Sequence, residues 1–353
     1  MNQVIMPVGY MGSGSSAITD LLSEVKGYES LNGNFEYVLL HCPNGLFDLE
    51  DKLLFGNNAL RSDEALHSFY ACMQTLFGCK RFGVADYKHR VGNDFLENCE
   101  EFIDDLITIK NLEGYWYYQE NPNMIMLIRK ALYKIIYLLS LKKIKRSPVL
   151  KYKEMWMAYP SNKEFYSASK KFLKKFFNEL GIQNSNLILD QFLLPHNLWR
   201  FENYFGNNCK AIVVDRDPRD VFLLNKYFWK KAVCPIPYSY EVSEFCAHYK
   251  AMRECERKTE NKNIFRIHFE DLVYKYDETI SKIFFFLNIK EDLHIQKKTK
   301  FNPEKSIKNT QLYMQNKEFE EEGIYIEKNL KEYIYNFPYD NISGISNRED
   351  VIL

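Results

Sequence analysis

The fold is decided by the stretch V-I-M-P-V-G-Y-M-G-S-G-S-S, residues 4–16. Its apolar first part predicts a buried strand, and apolar residues then recur at helical spacing from Ile18 to Val25. A strand, a glycine-rich turn and a helix N-terminus form a cradle for an anion, because backbone N–H groups converge there and the helix dipole favours negative charge. The spacing is that of a Walker loop, but Ser15 stands at the lysine position, which excludes an ordinary P-loop nucleoside triphosphatase.

A second strand-to-helix turn contains the stretch R-D-P-R-D, residues 216–220. The apolar run 211–214 predicts a buried strand before it, and Pro218 suits the first position of a helix after it. Ligands of open parallel sheets bind at the carboxyl ends of strands, so Arg216 would reach that crevice as a bidentate donor for phosphate or carboxylate. The alternative is a salt-bridged loop in which the two arginines pair with the two aspartates.

Two later segments complete the pattern. R-I-H-F-E-D-L, residues 266–272, precedes a helix that ends in F-L-N-I, residues 286–289, and F-N-P-E-K-S-I-K-N follows at residues 301–309. With the glycine-rich and arginine stretches, in this order, they resemble the PAPS-dependent sulfotransferase family in its bacterial, carbohydrate-type form. The motifs leave roughly residues 50–180 unmatched.

The resemblance implies that the chain binds PAPS (3′-phosphoadenosine 5′-phosphosulfate) as co-substrate, without a metal. The glycine-rich loop would hold the 5′-phosphosulfate, Arg216 the 3′-phosphate, and the late segment would close over the nucleotide. Two positions depart from the family: Gly12 replaces a loop lysine or arginine, and Leu224 replaces a serine, so that Asn225 or Lys226 would be the substitute donor. The implied PAPS-binding residues are Gly12, Ser13, Gly14, Ser15, Ser16, Arg216, Asn225, Ser306 and Asn309.

Three residues are candidates for the chemistry. Glu36 is the preferred base, because glycan-modifying sulfotransferases carry a glutamate in the region of the second strand. His41 is the second candidate, at the end of the same apolar run. Asp190 follows another strand at the same rim and would bind the acceptor or a catalytic water. Each has an ordinary structural alternative: a strand-edge carboxylate, a strand-end histidine and a helix cap.

The organisation of the chain predicts an α/β fold. We expect a P-loop-like parallel sheet of about five strands flanked by helices, with a large helical insertion at 49–181 that builds the acceptor site. The sheet core would comprise residues 1–48 and 182–340, followed by a loosely held tail, 341–353. After the first strand, the strand candidates are Glu36–Leu40, Leu187–Leu189, Ala211–Val214 and Ile264–Ile267.

Composition limits the partners and the compartment. The formal net charge is zero, which argues against a general polyanion such as nucleic acid as partner. Eight cysteines show no C-x-x-C pair and no zinc spacing, so they are expected to be reduced, and with no signal peptide before the first strand the expected location is cytoplasmic. The apolar stretch Met124–Leu141 carries three cations. It favours an amphipathic helix, packed on the core as the commoner case or lying at a membrane interface as a peripheral contact.

The predicted function is therefore transfer of a sulfuryl group from PAPS to a hydroxyl of a carbohydrate or glycolipid acceptor. One alternative is a small-molecule or nucleotide kinase, for which Asp215 is the nearest Walker-B candidate. The other is a non-catalytic relative that only binds nucleotide or partners, because both departures from the family fall in the expected site.

Overall fold

The computed structural model describes residues 2–31, 35–78, 85–111, 124–141, 143, 155–229 and 237–338. Contacts divide the chain into two compact units. The first unit contains residues 1–37 and 181–353, and the second contains residues 38–180. The predicted tail, 341–353, lies outside the described residues.

The described part of the chain contains seven strands. They are β1 (Val4–Gly9), β2 (Tyr28–Ser30), β3 (Ile109–Asn111), β4 (Met155–Met157), β5 (Asn186–Ile188), β6 (Cys209–Asp215) and β7 (Ile264–His268). Five of them form one sheet in the order β2-β5-β1-β6-β7, and every neighbouring pair is parallel. The predicted five-stranded parallel α/β sheet is therefore confirmed.

Helices flank this sheet in the first unit. They span Ser16–Leu22, Phe201–Tyr204, Pro218–Leu223, Val242–Glu254, Phe269–Tyr274, Tyr276–Leu287, Pro303–Ser306 and Lys317–Asn329. A π-helical turn at Leu224–Phe228 continues the helix that begins at Pro218, and short 3₁₀ turns span Pro195–Arg200, Glu291–Leu293, Ile307–Asn309, Leu312–Met314 and Lys331–Tyr333. On one side of the sheet, Ile5, Ile188 and Ile212 of three adjacent strands belong to a buried core with Leu21 and Ile283.

The expected second strand at Glu36–Leu40 is wrong. The second strand is β2, and residues 35–38 are irregular. Leu39 and Leu40 are buried, but their carbonyl groups accept the N–H groups of Leu46 and Phe47 at 3.0 and 2.9 Å in a local turn. A short apolar run indicates burial without specifying a strand, and here the backbone hydrogen bonds are used inside the turn.

The second unit is mostly helical. Its helices are Leu46–Glu50, Ala59–Gly78, Tyr87–Arg90, Phe95–Leu106, Met124–Leu139 and Asn162–Glu179, with a π-helical turn at Asp51–Phe55 and an antiparallel β3–β4 pair. The helix at Asn162 begins at a capping box between Ser161 and Glu164. Its phenylalanines enter an aromatic core, in which Phe172 stacks on Phe102 with ring centroids 5.1 Å apart.

The helix Met124–Leu139 does not pack into that core. Its large apolar side chains are exposed, from 47% for Ile136 to 78% for Leu139. The expectation that this stretch packs on the core is therefore wrong. Across the described ranges, we find no helix with both the length and the apolar character needed to cross a membrane.

Candidate active site

Three of the sequence motifs meet at one edge of the sheet. Gly9, the last residue of β1, is in register with Val214 of β6, and Asp215 of β6 is in register with His268 of β7. The strands are parallel, so the segments that leave their carboxyl ends lie side by side. The glycine-rich loop, the R-D-P-R-D turn and the H-F-E-D-L turn thus surround the crevice in which ligands of such sheets bind.

The glycine-rich loop depends on glycine at three positions. Gly12 and Gly14 have φ angles of 79° and 86°, in the left-handed region that favours glycine. A Cβ atom on Gly9 would lie 2.2 Å from Oγ of Ser13, whose side chain folds back under the loop and is 2% exposed. Among the described residues, this hydroxyl has no hydrogen-bond partner. A buried hydroxyl without a partner inside a loop of this shape fits an anion held by the loop.

The φ angle of Gly12 also accounts for one departure from the family pattern. A lysine or arginine at this position would have to adopt a backbone conformation that side-chain-bearing residues rarely take. The loop as folded is therefore built for glycine there.

Phe269 connects the loop to the arginine turn. A Cβ atom on Gly14 would lie 3.0 Å from Cδ2 of this ring, and the guanidinium carbon of Arg216 lies 4.4 Å from the ring centroid. The ring thus contacts both Gly14 and Arg216. The motif R-I-H-F-E-D-L contains Phe269, but the motif alone assigns this residue no role. Its contacts join residues more than fifty positions apart, which no local pattern reveals.

Arg216 joins the glycine-rich loop to the late segment. Its Nη1 donates to the carbonyl oxygen of Gly12 at 3.2 Å, and its Nη2 donates to that of Asn309 at 2.7 Å. The residue is 5% exposed, and within the described chain its Nε atom has no acceptor. Burial lowers the pKa of Arg216, while the carboxylates of Asp220 and Glu270 act in the opposite direction. This side chain is a buried cation with an unused donor beside the anion cradle.

The second arginine of the motif is structural. Arg219 donates from Nε and Nη2 to the two oxygens of Asp217, at 3.0 and 2.8 Å, and from Nη1 to Glu327 at 3.1 Å. Asp217 is fully buried, caps the helix by accepting from the N–H of Arg219, and also accepts from the N–H of Tyr335. The salt-bridged alternative therefore describes Arg219 but not Arg216.

Two buried carboxylates hold the surroundings of Arg216. Asp220 accepts the N–H groups of Gln311 and Leu312 at 3.0 and 2.9 Å, which fixes the chain just after the late segment. Glu270 accepts the N–H of Asp217 at 2.9 Å. Burial first, and then the charge of Asp217, raise the pKa of Asp220 to about 7 and that of Glu270 to about 8.

The late segment is fastened at its other end by Glu24. This buried carboxylate accepts the N–H groups of Lys298, Lys300 and Phe301 at 3.1, 2.8 and 2.9 Å, and it contacts Nε2 of His294 at 2.8 Å. Ser306 ends the helix Pro303–Ser306, and Asn309 ends the next 3₁₀ turn with its carbonyl on Arg216. Of the two predicted late-segment residues, the structure thus places Asn309 against Arg216.

Asp190 lies on the opposite side of the glycine-rich loop from β6, after β5. The neighbouring Gln191 donates to Oγ of Ser15 at 2.9 Å, which ties this strand end to the loop. Asp190 is 6% exposed, and burial raises its pKa to about 7. The hydroxyl group of Ser15 lowers that pKa, and the charge of Glu36 raises it further. Glu36 is exposed as a whole residue. Its carboxylate is nevertheless partly shielded from water, and this desolvation raises its pKa.

The remaining predicted residues are placed as follows. His41 lies in a turn of the second unit, where its N–H donates to the carbonyl of Val38 at 3.1 Å. Asn225 is fully buried in the π-helical turn, and its amide donates to the carbonyl of Tyr238 at 3.3 Å. Lys226, the next residue, is paired with Glu322.

A charged cluster at the ends of β6 and β7 was not predicted. Arg253 donates to Asp215 at 2.8 Å and lies 4.4 Å above the ring of Tyr10 in the glycine-rich loop. Arg266 lies 3.8 Å from Asp215 and is paired with Glu256, which also accepts the hydroxyl of Tyr10. Asp215 therefore has two arginine partners, unlike a carboxylate that is free to bind a metal ion.

Residues 189–336 match the family profile described as the sulfotransferase domain. This stretch contains the arginine turn, the H-F-E-D-L turn and the late segment. Within this stretch the chain therefore carries a sulfotransferase domain, a domain of transferases. The resemblance predicted from the motifs is confirmed. A search of curated proteins gave no match.

Three of the solved structures that match the chain are described as a sulfotransferase or a sulfotransferase domain. The domain from the Synechococcus PCC 7002 olefin synthase has 13% identity and a TM-score of 0.39, covering 95% of this chain and 94% of that one. The domain from the curacin biosynthetic pathway has 15% identity and a TM-score of 0.36, with coverages of 96% and 99%. A Mycobacterium avium sulfotransferase has 10% identity and a TM-score of 0.35, with coverages of 94% and 76%. At these scores the likenesses carry no further conclusion.

Proposed function

We propose that the chain is a PAPS-dependent sulfotransferase that sulfates a hydroxyl of a carbohydrate or glycolipid acceptor in the cytoplasm. The environment of Arg216 is the observation that supports binding of the nucleotide. Its guanidinium is buried between the glycine-rich loop and the late segment, and its Nε donor has no partner among the described residues. An anion beside this group would accept that donor and relieve the cost of a buried unpaired N–H.

The residues present fit PAPS as co-substrate. The loop from Gly12 to Ser16 turns at two glycines with left-handed φ angles, the buried Ser13 hydroxyl lacks a partner among the described residues, and Arg216 supplies a cation. When bound, PAPS would supply the sulfuryl group. The loop and Arg216 would orient its anionic ends. Asn309, whose carbonyl oxygen accepts from Arg216, would hold the late segment next to them.

Glu36 and Asp190 are the proposed proton acceptors. Glu36 remains the proposed base for the acceptor hydroxyl, and Asp190, with a pKa raised to about 7, lies close enough for the two charges to interact. A carboxylate that titrates near neutral pH can both accept a proton and release it. The use of carboxylates, as in glycan-modifying relatives, is what supports a carbohydrate or glycolipid acceptor. The assignment of residues 49–181 to the acceptor site is also a proposal.

A kinase is the less favoured function. Its metal would need a free carboxylate at the end of a strand, whereas Asp215 is held by Arg253 and Arg266. The loop also lacks the lysine that P-loop kinases place on the phosphates.

Thermal denaturation with two ligands tests the proposal. A ligand at a hundredfold excess over its Kd stabilises the folded protein by about 2.7 kcal/mol. We expect 3′,5′-ADP to raise the Tm and ATP with magnesium to leave it unchanged, and the reverse result would favour the kinase. Transfer of labelled sulfate from PAPS to a glycan acceptor then separates an enzyme from a relative that only binds nucleotide.

A further inference from the structure

The helix Met124–Leu139, called the surface helix below, exposes apolar side chains on an unusual scale. Met124 is 73% exposed, Ile125 63%, Leu138 54% and Leu139 78%. Exposed apolar residues are common on proteins when they are scattered, but a contiguous apolar surface marks a place of interaction. A 16-residue helix without packing is also marginally stable in water, so this helix requires a partner.

The sequence of the surface helix divides its circumference into two faces. At about 100° per residue, the aliphatic residues and Met124 fall on one continuous half of the helix. The other half carries Arg129, Lys130 and Lys134 with two tyrosines and Met126. The cations are therefore confined to one side rather than spread around the helix. A basic, tyrosine-bearing face opposite a wide apolar face is typical of helices that lie in a membrane interface.

The charge of the surrounding sequence defines the partner further. Nine Lys or Arg residues and no Asp or Glu lie between Asn121 and Lys153. A partner surface must therefore be apolar enough to take the aliphatic face and anionic enough to attract the cations. A bilayer that contains anionic lipids meets both requirements, since each Lys or Arg near its surface adds favourable electrostatic energy.

The length of the surface helix sets its orientation. Sixteen residues span about 24 Å at a rise of 1.5 Å per residue, which is shorter than the roughly 30 Å hydrocarbon core. Three cations within the helix also oppose a spanning position. We propose that the surface helix docks the protein in the plane of an anionic lipid surface, with its aliphatic face among the acyl chains. This proposal does not depend on the transferase activity.

Vesicle sedimentation with the full chain tests it. We expect the protein to bind vesicles of phosphatidylcholine and phosphatidylglycerol in equal parts, to bind pure phosphatidylcholine far more weakly, and to be released by salt. Replacement of Arg129, Lys130 and Lys134 by glutamine should weaken the binding on the order of 10²-fold. Ile128→Gln with Ile135→Gln should weaken it by roughly 10- to 10²-fold for each side chain.

Matched variants elsewhere in the chain provide the controls. Lys163→Gln, Lys170→Gln and Lys174→Gln remove the same charge from exposed positions of another helix, and Ile324→Gln removes an isolated exposed aliphatic side chain. These variants should bind vesicles as the wild type does. All variants should keep the wild-type Tm, because the altered side chains are exposed.

Four results would overturn the proposal. The first is a wild type that fails to bind anionic vesicles at low salt, and the second is equal binding by wild type and surface-helix variants. The third is a Tm lowered by Ile128→Gln with Ile135→Gln, which would show that the aliphatic face packs within the protein. The fourth is a wild-type oligomer, measured by light scattering, that these two changes dissociate without any vesicle binding.

Discussion

Replacing Arg216 by alanine should separate nucleotide binding from folding. In the structure, two of its five N–H groups are used on the carbonyl oxygens of Gly12 and Asn309, and the buried Nε–H lacks an acceptor among the described residues. The alanine variant therefore loses two hydrogen bonds between the loop and the late segment. It also loses the donor that an anionic ligand would engage.

The magnitude follows from that unused donor. A buried unpaired N–H costs about 1–3 kcal/mol, and a hydrogen bond between charged partners contributes about 1.5–3 kcal/mol. We therefore expect Arg216→Ala to weaken 3′,5′-ADP binding by about 1.5–3 kcal/mol, or roughly 10- to 150-fold in Kd. The Kd of Arg216→Lys for 3′,5′-ADP should lie between those of the wild type and of Arg216→Ala. Lysine keeps the positive charge but lacks the bidentate donor geometry of the guanidinium.

Titration calorimetry with 3′,5′-ADP, combined with thermal denaturation, measures both effects. Arg219→Lys is the control, since Arg219 is equally buried and its fork engages Asp217 and Glu327. It should lower the Tm and leave the affinity of the folded protein nearly unchanged. If Arg216→Ala behaves in the same way, with a lower Tm and an unaltered Kd, Arg216 is a structural residue and the proposed phosphate site is wrong.

Three further predictions concern the proposed base and the loop. Glu36→Gln should lower turnover by roughly 10²- to 10⁴-fold with 3′,5′-ADP affinity nearly intact, and His41→Ala should cost less; an active Glu36→Gln beside an inactive His41→Ala would reverse the assignment. The folded-state pKa of Asp190 is raised from 3.8 to about 7, so its contribution to the free energy of unfolding is present below pH 4 and is lost as the pH rises through 7. Asp190→Asn should remove that slope in denaturant titrations at several pH values, and an unchanged slope would contradict the shift. Gly14→Ala should abolish nucleotide binding in calorimetry, whereas Gly27→Ala, with a similar φ of 84° and open space around it, should lower only the Tm; equal affinity in both variants would show that the loop does not hold the ligand.

The parts of the fold that the sequence predicted are those determined locally. The apolar run before Gly9, the glycine loop and the helical spacing after it specify a strand, a turn and a helix within 25 residues. The same holds for the R-D-P-R-D turn, where Pro218 is the first residue of the helix, as expected, and Asp217 caps it. Parallel pairing of β1 and β6 follows from two such units in one sheet.

What the sequence could not show depends on contacts between distant segments. Phe269 lies against both Gly14 and Arg216, Glu24 binds three N–H groups after residue 297, and Arg253 reaches Tyr10. No periodicity or motif spacing encodes such contacts. The incorrect prediction of a strand at Glu36–Leu40 has a related cause. That an apolar run is buried does not determine which partners its backbone N–H and C=O groups bind.

The position of β1 between β5 and β6 has a consequence for the synthesis of the chain. Its first residue, Val4, pairs with Leu187 and Cys209, so both edges of this apolar strand stay open until those residues leave the ribosome. At about 5–20 residues per second, the wait lasts roughly 10–40 s. All of residues 38–180 are made within it. For that interval the nascent chain exposes an unpaired apolar strand edge of the kind that aggregates. The yield of folded protein therefore depends on how well β1 is shielded until β6 has been synthesised.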